Sequence, residues 1–252
     1  MGTKPEATYY GIEFSYLDIA LSVIFTVIIF LFTTFFAIST PATQGFFNFG
    51  EIGVYISALI GGPIVGAIAG GLGSALADIF LGYAHYAPGT LVIKGVEGFL
   101  AGYLFQRLRG AGREIRLLFG LVAAAIIAIV LSYHGAKGLS MVLEIRGQEY
   151  SLTLPLWVVL LIIGGLATAL IITGSRGDIF SVMTLSCLIA GVEMVLGYYL
   201  YEAIVLGYGF IIAAMELPVN IGQAVIGTAI GVPTVRALME MGLSVGSEES
   251  QR

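Results

Sequence analysis

Apolar runs of about twenty residues recur along nearly the whole chain, separated by short polar or glycine-containing breaks. At 1.5 Å rise per residue such runs are long enough to cross a bilayer as helices. The pattern predicts helices over 15–38, 51–62, 64–82, 89–108, 115–133, 154–174, 178–200 and 210–238. The second and third runs together hold too few residues for two full-thickness spans. Gly61-Gly62-Pro63 falls between them, so a short helix, a sharp turn and an antiparallel return are expected rather than one long tilted helix. The prediction is an all-α polytopic membrane bundle.

Composition agrees with that reading. Of 252 residues, 58% are hydrophobic and only 11% charged, against about 25% charged in soluble domains. No segment is long and polar enough for a separate soluble domain, so residues 1–252 read as a single membrane domain. The first apolar run, 16–36, is too long for a signal peptide's core and is expected to be a retained span. A net charge of −5 without a basic stripe excludes a nucleic-acid partner. One cysteine, Cys187, excludes an internal disulfide or a multi-cysteine metal site, and no cofactor is expected. Nucleophile-elbow, Walker and zinc-protease patterns are missing, so ATP hydrolysis would need partner subunits.

Basic residues set the orientation. Arg107, Arg109, Arg113 and Arg116 cluster in one connection, Arg176 lies in another and Arg236 near the last helix end, all on the side of Lys4. The opposite side holds only Lys137 and Arg146, offset by Glu144 and Glu149. The positive-inside rule then predicts a multi-pass cell-membrane protein with both termini cytoplasmic.

With that topology the polar groups inside the spans fall toward the outer leaflet. Asp78, Lys94, Glu97, Glu193 and Glu216 come from four helices at similar predicted depth, and Glu216, Asn220 and Gln223 share one face at i, i+4 and i+7. Charges at the centre of an inserted helix cost roughly 2.5–3.5 kcal/mol each, so these need partners or a polar cavity. A packing role competes with a binding role: Lys94 with Asp78 or Glu97 could form a purely structural ion pair, and the two amides could only bridge helices. Four carboxylates against one lysine leave acids in excess, which favours a substrate pathway. The outer loops add Gln44, Phe46, Phe47 and Asn48, suited to a lid over a flat molecule, and Tyr86 at the mouth of the fourth helix. Tyr198, Tyr199, Tyr201 and Tyr208 read equally as an interfacial belt. His85 and His134 read as loop hydrogen-bonders.

The run NFGEIGVYISALIGGPIVGAIAGGLGSALADIFLGYAHYAP, the following TLVIKGVEGFLAG and the C-terminal ELPVNIGQAVIGTAIGVP resemble the S components of energy-coupling factor (ECF) transporters, in the riboflavin-transporter-like branch. The resemblance covers about 40–108 and 178–240. It implies a subunit that captures a vitamin, with riboflavin the family-weighted choice, and that works with a transmembrane coupling protein and two ATPase subunits. It also implies that 44–48 is the substrate lid and that Lys94, Glu97, Glu216 and Asn220 occupy site positions. Such proteins have six helices, so the pair at 115–133 and 154–174 reads as an insertion, spanning 111–175, between core segments 14–110 and 178–240. The family's alanine-x-x-x-alanine docking motif is missing from the first helix, where Ser22-x-x-x-Thr26 is the nearest spacing. Two other classes compete: a stand-alone proton-coupled transporter with Glu193 or Glu216 as relay, and an intramembrane enzyme using its carboxylates as acid and base. The enzyme lacks a nucleophile or metal cluster.

Overall fold

A computed structural model describes residues 16–136 and 138–242, and the readings placed on Lys4 and Lys137 lie outside them. The chain forms α1 (Tyr16–Phe35), strands β1 (Ile38–Thr40) and β2 (Gly45–Phe47), α2 (Gly50–Leu81) and α3 (Ala87–Leu108). There follow α4 (Arg113–Gly135), β3 (Leu139–Ile145), β4 (Gln148–Leu154), α5 (Leu156–Ser175) and α6 (Ile179–Leu200). A π-helical turn Tyr201–Val205, the short α7 (Phe210–Ala213), a 3-10 turn Ala214–Glu216 and α8 (Leu217–Glu240) complete it. Among the described residues, six helical segments are long and apolar enough to cross a membrane. The all-helical membrane bundle predicted from hydropathy is the fold.

The helix α2 is a hairpin. Gly62 sits at φ 81, ψ −173, far from helical values, directly before Pro63. A Cβ placed on Gly66 would meet the Ala58 Cβ at 2.8 Å, and one on Gly70 would meet Val54 Cγ1 at 3.3 Å. In a continuous helix those pairs would be about 12 and 24 Å apart. Limbs 50–61 and 63–81 therefore run antiparallel, as Gly61-Gly62-Pro63 led us to expect. Glycine at 62 supplies a left-handed φ that an L side chain resists.

The α2 hairpin is wedged between α1 and α3. Its approach to α3 is close enough that a Cβ on Gly66 would lie 2.6 Å from the Gly98 carbonyl oxygen and one on Gly70 2.8 Å from that of Lys94. Small residues at such crossings let backbones pack in lipid, where no hydrophobic force drives association. α3 is not among the six apolar segments. Its middle carries Lys94 and Glu97, buried against α2 rather than turned to lipid. α8 packs on α2 and α6, while α4 and α5 pair chiefly with each other and lean on α6. α5 is the most lipid-exposed span, with Trp157, Leu160 and Leu161 facing outward.

One end of the bundle carries a four-stranded sheet in the order β2-β1-β3-β4, where the sequence reading had placed only loops. β3 and β4 pair in full register from Leu139↔Leu154 to Ile145↔Gln148. Their two-residue turn has Arg146 at φ 54 and Gly147 at φ 75, the pair of positive φ values of a type I′ hairpin. β1 joins this hairpin to the segment between α1 and α2, with Ser39 opposite Glu144. Tyr86 and Tyr201 extend the same end, donating hydrogen bonds to the carbonyl oxygens of Thr43 (2.8 Å) and His85 (2.9 Å). All four connections assigned to one membrane face thus gather at one end, opposite the turns that carry Arg109 and Arg176.

Candidate functional site

Beneath the β1–β2 segment lies a cavity of about 430 Å³, counting its opening to solvent. Only about 40 Å³ of it is open to the centre of a water molecule, room for a few waters while the roof is closed. Its roof is Gly45, Phe46 and Asn48, and α2, α3, α6 and α8 supply its walls. Eight of the twelve residues proposed from sequence line it: Phe46, Asn48, Asp78 and Tyr86, and then Lys94, Glu216, Asn220 and Gln223.

The roof is tied to α8. Gln223 accepts a hydrogen bond from the Asn48 backbone N–H (3.2 Å) and donates its own N–H to Asn220 Oδ1 (2.8 Å). Asn48 Oδ1 in turn accepts from the Gly50 N–H at 2.8 Å, at the start of α2. The hydroxyl of Thr43 donates to Glu216 Oε1 in a very short contact. The amide pair and Glu216 therefore hold the roof and face the cavity together.

Along the α3–α6 wall, Tyr198 donates to Thr90 Oγ1 at 3.0 Å, and Thr90 serves Asp78. Tyr86, just before α3, has one hydroxyl proton for two acceptors: the Thr43 carbonyl at 2.8 Å and Glu202 Oε1 at 3.2 Å. The backbone carbonyl is the nearer of the two. Burial and the neighbouring carboxylate of Glu202 push the Tyr86 phenol well above its usual range, so it stays a neutral donor.

Four of the proposed residues lie elsewhere. Gln44 is exposed at the tip between β1 and β2, with φ 55. Phe47 points away from the cavity, because strand side chains alternate. It packs edge-on against Phe49 at 5.3 Å and against Gly222. Glu97 and Glu193 sit deeper: three residues beyond Lys94 is about 4.5 Å further along the inward-running α3, and Glu193 precedes Tyr198 by more than a turn on α6. The single shared depth inferred from sequence separates into two layers.

The deeper layer is an ion cluster. Lys94 bridges Glu51, in a very short contact, and Glu97 Oε2 at 3.2 Å. Tyr55 donates to Glu97 Oε1 at 2.8 Å. Glu51, Lys94 and Glu97 are each at most 4% exposed. The lysine's partners are thus Glu51 and Glu97, not Asp78. Glu51 went unselected although it stands in the motif run.

With this geometry in view, the family comparison is decisive. The model of the family described as ECF-type riboflavin transporter, S component, matches residues 13–174. The chain belongs to that family. It is accordingly a multi-pass membrane protein of that family. It is also 46% identical over 96 residues to an uncharacterized protein in the gap 3′ region of Pyrococcus woesei, an alignment covering 38% of this chain and 62% of that protein. No solved structure matches. The S-component match takes in α1 through α5, including the pair read as inserted, and stops before α6.

Sequence reasoning also missed Glu202, Tyr198, Thr90, Ser74 and Thr33 as lining residues. Glu202 had been assigned to a loop, but α6 runs on into the π-helical turn, which carries Glu202 inward to 2% exposure. Its signal was its standing as the one charge in an aromatic and apolar stretch. Tyr198, for which an interfacial belt was only one of two even readings, is 9% exposed and lines the cavity.

Proposed function

We propose that this S component captures a vitamin-like small molecule in the cavity under the β1–β2 lid, from the outer face of the cell membrane, with both termini cytoplasmic. A transmembrane coupling protein and two ATPase subunits then drive release inside, as the family implies. The observation that carries this reading is a polar cavity roofed by a segment that only side-chain hydrogen bonds fasten to α8. Such a roof can open without breaking the bundle. Riboflavin, named in the family description, is the starting candidate. In this reading the sheet hairpin and the α4–α5 pair (111–175) are additions that brace the lid of a core formed by 14–110 and 178–240. Phe46, Asn48, Asp78, Tyr86, Lys94, Glu216, Asn220 and Gln223 contact or orient the ligand, and Glu97 and Glu193 support them from below.

The test is uptake of radiolabelled vitamin by cells expressing the chain with and without an ECF coupling module, paired with mass spectrometry of co-purifying small molecules. Uptake that needs the module, with a vitamin retained on the purified protein, is the expected result. The rival is a stand-alone proton-coupled transporter, favoured by Oε2 of the half-buried Glu193, which has no partner among the described residues. Uptake by the purified chain alone in liposomes, abolished by collapsing the proton gradient, would establish the rival instead.

A further inference from the structure

Taking the capture reading as its basis, we infer that Thr43 is a positioning residue that latches the lid and sets two cavity-lining side chains at once. Thr43 stands in the connection between β1 and β2. Its neighbour Gln44 is exposed and Pro41 and Ala42 are half-buried, yet Thr43 is only 1% exposed. A threonine in a turn can satisfy its hydroxyl on backbone a few residues away. The Thr40 carbonyl is within reach at 3.2 Å, but the nearer acceptor is Glu216 Oε1, 173 residues further along the chain. The Thr43 carbonyl is committed as well: it accepts from the Tyr86 hydroxyl at 2.8 Å.

Glu216 and Tyr86 line the cavity, whereas Thr43 lies outside it. One residue thus ties the lid to the starts of α8 and α3 and fixes the carboxyl and the phenol that face the ligand. The lid backbone packs directly on the carboxyl it grips: a Cβ on Gly45 would lie 3.1 Å from the Thr40 hydroxyl and 3.2 Å from Glu216 Oε1. Two three-residue strands are not stable as an isolated hairpin, so the closed position depends on such attachments. At the far end of β2 the Asn48 N–H is held by Gln223, which leaves the Thr43 end to lift once its own contacts break. With the roof closed the cavity has room for a few waters only, so a ligand passes when the lid is raised. Entry breaks the Thr43 contacts, and capture remakes them over the ligand.

Two variants of the full chain, purified in detergent and probed with riboflavin, separate a latch from a packing role. Thr43→Val keeps the shape and the carbonyl but loses the hydroxyl, while Thr43→Ser keeps the hydroxyl and loses a methyl. Stopped-flow flavin fluorescence should show riboflavin leaving the valine variant roughly tenfold faster or more, with association no slower, as expected for one lost hydrogen bond to a carboxyl group. The serine variant should restore slow release. The reverse ranking, with valine slow and serine fast, would make Thr43 a packing residue and overturn the latch while leaving capture standing. Equal release from all three proteins, or fast release from both variants, overturns the latch in the same way. A valine variant that fails to fold while the serine variant folds shows a structural hydroxyl and also overturns it. No riboflavin binding by the intact chain overturns capture of that vitamin, and the latch with it.

Discussion

At the level of single residues, Lys94 and Asn220 separate two jobs that looked alike in the sequence. Both line the cavity, but Lys94 also holds the charge of Glu51 and Glu97 in a region sealed from water. Breaking a buried ion pair by removing one partner costs about 3–5 kcal/mol, because the other charge is left uncompensated. Lys94→Ala should therefore lower the melting temperature in detergent sharply. Adding Glu51→Gln and Glu97→Gln should restore part of it, and a melting temperature unmoved by Lys94→Ala would show that the cluster carries no structural charge. Sequence reasoning weighed Asp78 and Glu97 as the lysine's partners and left out Glu51, which the structure places against it. Asn220→Ala differs. Asn220 accepts from Gln223 and otherwise faces the cavity, so the helix survives its loss. The expected effect is ligand binding about tenfold weaker, near 1.4 kcal/mol, at unchanged melting temperature. Equal affinity in titrations of the variant would remove Asn220 from the site.

At the level of elements, helices were legible and strands were not. Lipid imposes apolar runs, and runs are visible in any sequence. The α2 hairpin was readable because Gly61-Gly62-Pro63 interrupts a stretch too short for two full spans. The β3–β4 hairpin carried a signal too: Ile145-Arg146-Gly147-Gln148 sits between two seven-residue strands, and glycine in the second turn position suits positive φ. Helical expectations hid it, and the π-helical turn that brings Glu202 inward has no sequence signature of its own. The crossing of α2 and α3 gives the element-scale prediction. A side chain at Gly98 would overlap the Gly66 backbone, which cannot yield as a flexible side chain would. Gly98→Val should cost more than the 1–3 kcal/mol typical of overpacking and abolish folded protein in size-exclusion profiles. Gly164→Ala, with open space around it, should leave the profile unchanged.

Across the whole molecule, the sheet links parts that are far apart in the chain. β1 and β2 form the lid, and β3 belongs to the hairpin between α4 and α5, so the lid is hydrogen-bonded to a helical pair that does not itself line the cavity. β3 also packs near the Ala214–Glu216 turn, whose glutamate accepts from the lid threonine. The lid is thus gripped from three sides: by α8 through side chains, by Tyr86 before α3 through its hydroxyl, and by β3 through backbone. Of these, the β3 contact is small, with one aligned residue pair between β1 and β3, and is suited to give way when the lid opens. Replacing 140–153 with a flexible glycine-serine linker should leave the helical bundle intact, since Leu139 and Leu154, the strand residues buried in the core with Leu131 and Val159, are kept. The lid, held then by α8 and by the Tyr86 bond to Thr43, should release ligand at least tenfold faster, while association changes little because the cavity walls are untouched. Stopped-flow dissociation measurements read this directly, with circular dichroism as the check on helix content. A release rate equal to that of the intact chain would mean that the hairpin does not brace the lid and that its pairing with β1 has another purpose.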